Sequence, residues 1–344
     1  MSVAGHRLDR RQILQALGLV PLVGGVGEQP ARLFGWARPR PARPSHNPFV
    51  DDGRPVLVVV QGRHLRAMLA AGLAALPGFE TFVRSRHRIV LKPNATAGEP
   101  YPVTTDPALL YELVRIVRRL SRAGVTIYDS PSFAGPAAPM VFRQLGYFDL
   151  RRAGEVEVLS ADPTRGTRFL QVTRPEWRRH PFILSAAVVQ DADFVINLAV
   201  PKRHHAADFS CALKNNFGCT YDTFREVAHR WLGSGDTGTG SFDESVAEFA
   251  DAVRPDLTIV DARSLLARAG PAFQMGRSVI DSSVNRLVLS GDMVAVDAHC
   301  AALMEQRDET FSAARRVAAQ LDYAVRLRLG TRDLHAMKLV ELTV

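Results

Sequence analysis

An α/β fold is expected, with a mainly parallel sheet and helices on both faces in Rossmann-like layers. Two observations predict it. Short apolar, β-branched runs alternate with segments of helical period from Arg54 to the last residues. Those runs lack the in-out alternation of a half-solvated strand, as in "PVLVVV" and "DFVINLAV", so both faces of each strand are expected to be buried.

Each element has its own signal. "PVLVVV" (Pro55 to Val60) is the first strand, and "HLRAMLAAGLAAL" (His64 to Leu76) has helical spacing. "RIVLKPN" (Arg88 to Asn94) is the second strand. A long amphipathic helix follows in "TTDPALLYELVRIVRRLSRAG", with Thr105 or Asp106 as N-cap, Pro107 in the first turn and Gly124 as a stop. "VTIYDS" and "EVEVLSAD" are strands, and "PMVFRQLG" between them is a short helix. Further on, "PFILSAAVVQDA" is predicted as a helix, "DFVINLAV" as a strand, and "CALKNNFG" as the start of a helix. "FDESVAEFADAVRP" is a helix opened by acidic residues. "DLTIVDA" and "VNRLVLSGD" are strands, "MVAVDAHCAALMEQ" and "ETFSAARRVAAQLDYAVRLRLG" are helices, and "AMKLVELTV" closes the sheet. In such sheets ligands bind beyond the carboxyl ends of the strands. Asn94, Ser130, Lys202, Asp261 and Asp292 all stand just after a predicted strand.

The remaining segments set the domain plan. Arg10 and Arg11 precede an apolar run from Ile13 to about Val26, too short for a comfortable transmembrane helix. This resembles a twin-arginine export signal over residues 1–27, with the twin-arginine export machinery as a partner. No clear A-x-A cleavage site follows, and an uncleaved signal would anchor the chain. The protein is therefore expected to be exported, periplasmic or extracytoplasmic, and to meet the membrane only through this signal. Residues 28–52 are Pro- and Arg-rich and predict a linker. Residues 53–344 form the α/β domain, with a division into two lobes near 165–185 as the alternative.

Composition narrows the classes. The chain has 344 residues, 47% hydrophobic and 23% charged, as globular proteins do. Its net charge of +8 is scattered, with no basic stripe or aromatic-interleaved patch, so no nucleic-acid partner is expected. The three cysteines, Cys211, Cys219 and Cys300, form no C-x-x-C pair, against a zinc ribbon or ferredoxin cluster in this chain. Thiols are expected, with a Cys211–Cys219 bridge as the alternative. No G-x-G-x-x-G follows the first strand, and the chain has no P-loop, G-x-S-x-G elbow or H-E-x-x-H. "GSGDTGTGS" (Gly233 to Ser241) predicts a mobile loop or lid in preference to a nucleotide cradle.

The densest chemistry lies in "PKRHHAADFSCALKNNFG". On a helix, Cys211, Lys214, Asn215 and Gly218 would share one face, turned either into a cleft or to solvent. His204 and His205 would point to opposite sides of an extended chain, a poor chelating pair. Asp208, Cys211 and His229 add no recognised ligand spacing, so no metal ligands are assigned. An anion site built from Lys92, Lys202, Lys214 and a histidine is favoured. "TTDP" offers hydroxyls and open N–H groups at a helix start, either as an anion site or as a plain cap.

The order of these motifs resembles the domain-of-unknown-function 362 family, from about Pro55 to Gln306. It runs "RIVLKPN", "TTDP", "DFVINLAVPKRHH", "ALKNNFG", "RPDLTIVDA" with "AGP", and "LVLSGDMVAVDAHCAALM". Several members resemble exported proteins with twin-arginine signals. Others carry ferredoxin-type cysteine modules, which this chain lacks. By resemblance the polar signature falls on Lys92, Asn94, Thr105, Pro107, Lys202 and a following histidine, Lys214 and Asn215. It continues on Asp261, Gly270, Pro271, Gly291, Asp292 and Asp297. The segment before Lys214 is about one residue shorter than the family pattern, which leaves His204 and His205 as candidates; we favour His205. Cys211 stands where a glycine or aliphatic residue is usual.

Two functions fit. In the first, an exported enzyme acts on an anionic small molecule, a carboxylate or phosphate compound. Lys202, His205, Lys214 and Asp261 are the candidate catalytic residues; Lys92, Asn94, Thr105, Asn215 and Asp297 are the candidate substrate-binding residues. Asp261 or Asp297 would hold a lysine or histidine in place. In the second, the same cleft serves a non-catalytic protein that binds a ligand, metal or partner. The sequence names no cofactor.

Overall fold

The computed structural model describes residues 40–41, 47–131, 137–152, 156–160, 167–178, 182–220 and 241–344. The expected export signal, most of the linker, His229 and the glycine-rich loop up to Gly240 lie outside the described residues.

The expected α/β architecture is what forms. Eight strands make the path of the central sheet: β1 (Arg54–Gln61), β2 (Arg88–Lys92), β3 (Gly124–Asp129), β4 (Glu157–Ser160), β5 (Phe194–Ala199), β6 (Leu257–Ala262), β7 (Arg286–Ser290) and β8 (Lys338–Thr343). Their spatial order is β8-β1-β7-β6-β5-β2-β3-β4, and Val50–Asp51 adds a ninth strand against the start of β1. Along the eight-strand path all neighbours are parallel except β7, which runs antiparallel to both β6 and β1, and Val50–Asp51 is also antiparallel to β1. Strands from both sides of 165–185 thus join one sheet. The fold starts inside the expected linker, since Phe49 is buried and Val50 pairs with Pro55.

The apolar runs bury both faces, as their composition requires. Val56, Val58 and Val60 of β1 belong to one core cluster, and Leu57 and Val59 to the other. On the first face lie α1 (Leu65–Ala74) and α2 (Pro107–Leu120), the latter through Leu109, Leu110, Leu113, Val114 and Val117. On the second lie α3 (Ala212–Asn215), α4 (Ser241–Val253), α5 (Met293–Arg307) and α6 (Ala318–Arg326). Asp106, not Thr105, caps α2, its side chain accepting from Ala108 N at 2.9 Å.

Two expected helices differ. Phe182–Ser185 is a strand that pairs antiparallel with Phe169–Thr173, and only Ala187–Asp191 is helical, as one π-type turn. A short apolar run carries no usable period, so a remote partner strand decides its state. The segment Glu309–Gly330 breaks at Val317 (φ −127°, ψ −19°) into Ala313–Arg316 and α6. "CALKNNFG" is one α-helical turn continued as a 3₁₀ turn over Asn216–Cys219.

A four-stranded sheet of Asp208–Ser210, Lys202–His204, Leu265–Ala267 and Val279–Asp281 holds the chain that leaves β5 and β6.

Candidate functional site

Chain order locates the switch point of the sheet. From β2 the chain steps outward to β3 and β4, then returns to place β5 on the other side of β2, and moves on to β6. The direction reverses between β2 and β5, and in open α/β sheets ligands bind beyond the carboxyl ends at such a switch point. Lys92 and Asn197 are register partners there, on the face that carries α3.

Lys92, the last residue of β2, is fully buried. Its Nζ lies 2.8 Å from Asp129 Oδ1, at the end of β3, and donates to the Pro93 carbonyl at 2.6 Å. Asp129 also accepts from Ser130 N at 2.8 Å and Ala95 N at 2.6 Å. Gly218 lies against this pair. A Cβ there would stand 2.6 Å from Lys92 Nζ and overlap Asp129 Oδ1. The last residue of "KNNFG" is glycine because an ion pair fills the space of a side chain. The Ser130 hydroxyl beside it is buried without a hydrogen-bond partner among the described residues.

A chain of amides crosses the switch point. Lys202 is buried, and its ammonium donates to Asn94 Oδ1 at 3.1 Å and to the Val103 carbonyl. Asn94 Nδ2 donates to Asn215 Oδ1 at 3.1 Å. Asn215 Nδ2 in turn donates to Asn197 Oδ1 at 2.7 Å, with the Lys92 and Leu198 carbonyls at 3.3 and 3.4 Å. Asn197 Nδ2 donates to the Ala212 carbonyl at 2.9 Å. Thr105 holds the loop above. Its hydroxyl accepts from Asn94 N at 2.7 Å and donates to the Leu198 carbonyl at 2.8 Å, so it ties β2 to β5. Lys92, Asn94, Thr105, Lys202 and Asn215 thus form one connected group.

The other candidates sit apart from it. Asp297 of α5 accepts from Ala212 N at 2.6 Å and Leu213 N at 3.1 Å, so it caps α3 from a neighbouring helix. Burial pushes its carboxyl up to about 6, against those two hydrogen bonds. Asp261 accepts from the Tyr101 hydroxyl at 3.0 Å and pairs with Arg263 at 2.7 Å; Arg263 reaches Asp106 at 2.5 Å. Burial raises Asp261, with Arg263 opposing. The expectation that either carboxylate holds a lysine or histidine is therefore corrected: one holds backbone amides, the other an arginine and a tyrosine. Burial makes each group bind its nearest strong donors.

Lys214 is buried, not solvated, with Nζ 5.2 Å from the Phe217 ring centre and 5.9 Å from that of Phe242. The histidines do not diverge. The chain turns after His204, and the rings stack at 4.8 Å with 20° between planes. His204 is the buried one, and its Nδ1 accepts from Ala206 N and Ala207 N. The favoured His205 is exposed, with its N–H on the Gly270 carbonyl at 3.2 Å. Gly270 permits this approach, since a Cβ there would overlap the Arg203 carbonyl. Cys211 meets Cys300, not Cys219; burial and then the Cys300 thiol push Cys211 up. The three cysteines are buried thiols without a disulfide.

Asp129, Asn197 and Tyr101 were not singled out from the sequence. A signal exists for the first two: each is polar at the end of, or inside, an otherwise apolar strand. Among the described residues, no group of three or more His, Cys, Asp or Glu side chains could hold a metal ion.

Comparison with known proteins adds three findings. The family described as "Domain of unknown function (DUF362)" matches residues 89–302. The "Thylakoid-associated protein sll1697" of Synechocystis sp. (strain ATCC 27184 / PCC 6803 / Kazusa) is 30% identical over 237 residues, 68% of each chain. Among solved structures, the lactate racemase apoprotein from Thermoanaerobacterium thermosaccharolyticum aligns over 86% of this chain and 85% of that one. Its TM-score is 0.40 and the identity 11%, too distant to carry any property of the site across.

Proposed function

Since the chain belongs to the DUF362 family, we propose that it binds and transforms an anionic small molecule, a carboxylate or phosphate compound, over the β2–β5 switch point. The observation that carries this reading is the buried Lys202 ammonium, aimed by the Asn94 amide oxygen and the Val103 carbonyl. Ammonium groups and amides held in fixed directions beside the switch point suit an anionic ligand. The Ser130 hydroxyl, buried and without a hydrogen-bond partner among the described residues, supplies a further group for a ligand oxygen. In this reading Lys202 binds charge or moves a proton, while Asn94 and Asn215 fix its direction. Lys214 takes the far wall, against the Phe217 and Phe242 rings. Lys92, matched by Asp129, sets the floor.

The test compares the wild type with Lys202→Met. A panel of small carboxylates and phosphate esters is screened by thermal denaturation, then for conversion by NMR. Stabilisation of the wild type by at least one class, lost in the variant, supports the site. No stabilisation by any compound refutes it. A non-catalytic ligand-holding role is favoured by one observation: Asp261 and Asp297 are committed to Arg263, Tyr101 and backbone amides. Binding without conversion across the panel would select that role.

We also propose export through the twin-arginine machinery, on the strength of Arg10, Arg11 and the apolar run behind them. The relative's name, which associates that protein with thylakoids, supports a place near a membrane. Among the described residues no helix is long and apolar enough to cross one. Replacing Arg10 and Arg11 by lysine in a reporter fusion should hold the reporter in the cytoplasm; continued export would refute the signal.

A further inference from the structure

β8 lies at one edge of the central sheet and pairs with β1 alone among the described residues. One bond fixes which way its backbone groups point. Val344 N donates to the Gln61 carbonyl at 2.9 Å, so Val344 faces β1. The pairing is parallel and unbroken in register from Lys338 to Thr343, so Leu342, Val340 and Lys338 face β1 as well. The N–H and C=O groups of Leu339, Glu341 and Thr343 therefore point away from the sheet. Among the described residues they have no partner. The strand is held in place at its start. The Arg54 guanidinium donates to the His335 carbonyl at 2.8 Å and to the Met337 carbonyl.

Natural edges are blunted by shortness, proline, a bulge or a free lysine. β4, the opposite edge, has four residues. β8 has six, with no proline and no bulge, and its lysine, Lys338, is bound to Asp51. The sequence itself describes the strand that fits it. "VELTV" (Val340 to Val344) reads apolar, polar, apolar, polar, apolar in either direction. An antiparallel copy of the same segment, centred on Leu342, repeats that pattern against it residue by residue. Glu341 falls opposite Thr343, so no like charges meet.

We propose that the protein forms a two-fold dimer in which β8 of one copy pairs antiparallel with β8 of a second. The axis stands normal to the sheet, beside Leu342. Leu342 meets the partner's Leu342, and Val340 meets the partner's Val344, which covers a side chain that is 48% exposed. Each Glu341 exchanges both backbone bonds with the partner's Thr343, and so satisfies the outward groups of both. An axis at Glu341 would oppose like charges, and one at Val340 would set the Lys338 stem against Leu342 and leave Val344 bare. One strand pair lies at the low end of stable interfaces, about 1,200 Å² in total, so the dimer is weak and concentration-dependent. The candidate anion site lies several strands in from this seam, and the carboxyl ends of the two copies point in opposite directions. The proposal rests on neither that site nor the N-terminal signal.

Sedimentation velocity of the full chain across micromolar concentrations should show a monomer–dimer equilibrium. Glu341→Pro should abolish it while leaving the thermal midpoint near that of the wild type. The lost N–H and the added ring face the partner, and the ladder to β1 loses no bond. Charge supplies a milder arm. Thr343→Lys sets a lysine against the partner's Glu341 and should tighten the dimer about fivefold, whereas Thr343→Glu sets like charges there and should weaken it about fivefold. Leu342→Cys should cross-link two copies in oxidised glutathione, because facing residues of a non-hydrogen-bonded pair stand about 4.5 Å apart at Cα. Val340→Cys, opposite Val344, should not; the native thiols are buried and do not compete. A monomer at every concentration overturns the proposal, and so does a dimer that Glu341→Pro leaves intact. Slow hydrogen exchange at Glu341 and Thr343 in a monomeric sample would assign the edge to a segment of the same chain before Asn47, and would overturn the second copy as its occupant.

Discussion

Asp129→Asn tests the floor of the site. Lys92 is fully buried, Asp129 nearly so, and their charged atoms are 2.8 Å apart. An exposed pair at that distance contributes about 0–1 kcal/mol. Here asparagine strands an ammonium away from water, and breaking one side of a buried pair costs about 3–5 kcal/mol. Asp129 also receives two backbone N–H groups, from Ala95 and Ser130. Asparagine keeps one acceptor oxygen for them, so about 1 kcal/mol of hydrogen bonding is lost as well. The sum, about 4–6 kcal/mol, is a large part of the 5–15 kcal/mol typical of a folded domain. Urea unfolding followed by circular dichroism should show a midpoint lowered by about 1 M or more with an unchanged slope. Lys92→Met combined with Asp129→Asn removes the stranded charge and should recover more than half of the loss. A single Asp129→Asn variant within about 1 kcal/mol of the wild type would refute the structural role of the pair.

Asp297, held up to about 6 by burial, should leave a pH signature. Its folded value lies above the ordinary carboxylate value, so its stabilising contribution is full below about pH 4 and is lost as pH rises through about 6. The stability difference, wild type minus Asp297→Asn, should therefore fall by about 2–3 kcal/mol between pH 4 and 7; a difference that stays flat would contradict it. Tyr101→Phe removes the hydroxyl that donates to Asp261 and accepts from Ser264 N at 2.6 Å. A loss of about 1–3 kcal/mol is expected in thermal or urea unfolding, and an unchanged midpoint would remove Tyr101 from the Asp261 cluster. Cys211, Cys219 and Cys300 should not react with an aromatic disulfide reagent in the native state, and all should react after denaturation. Fast reaction of any one before unfolding would contradict their burial.

Strand ends were legible because apolar runs stop where the sheet stops. Asn94, Ser130 and Lys202 could be placed just beyond strand ends on that ground alone. What could not be read was which partner each group takes. Asp129 matches Lys92 only because β3 lies beside β2, and Asn197 meets Asn215 only because β5 returns to the other side of β2. Such adjacency is fixed by the topology, not by spacing along the chain. Phe182–Ser185 shows the same limit, since its strand state depends on Phe169–Thr173. The histidine pair failed for a local reason. Opposed side chains assume extended backbone through both residues, and the chain turns after His204. Asp261 and Asp297 sat at plausible places, yet buried carboxylates bond to the nearest strong donors, which were Arg263 and two backbone amides.

Asn215 has a mechanical consequence. Its side chain donates toward oxygens of both β2 and β5 and accepts from Asn94, so it acts as a rivet through the seam where the sheet changes direction. In the proposed function, a ligand above that seam would meet a floor tied together by these bonds. A closing motion around such a ligand would then come from the segments overhead, with the riveted floor as the fixed reference.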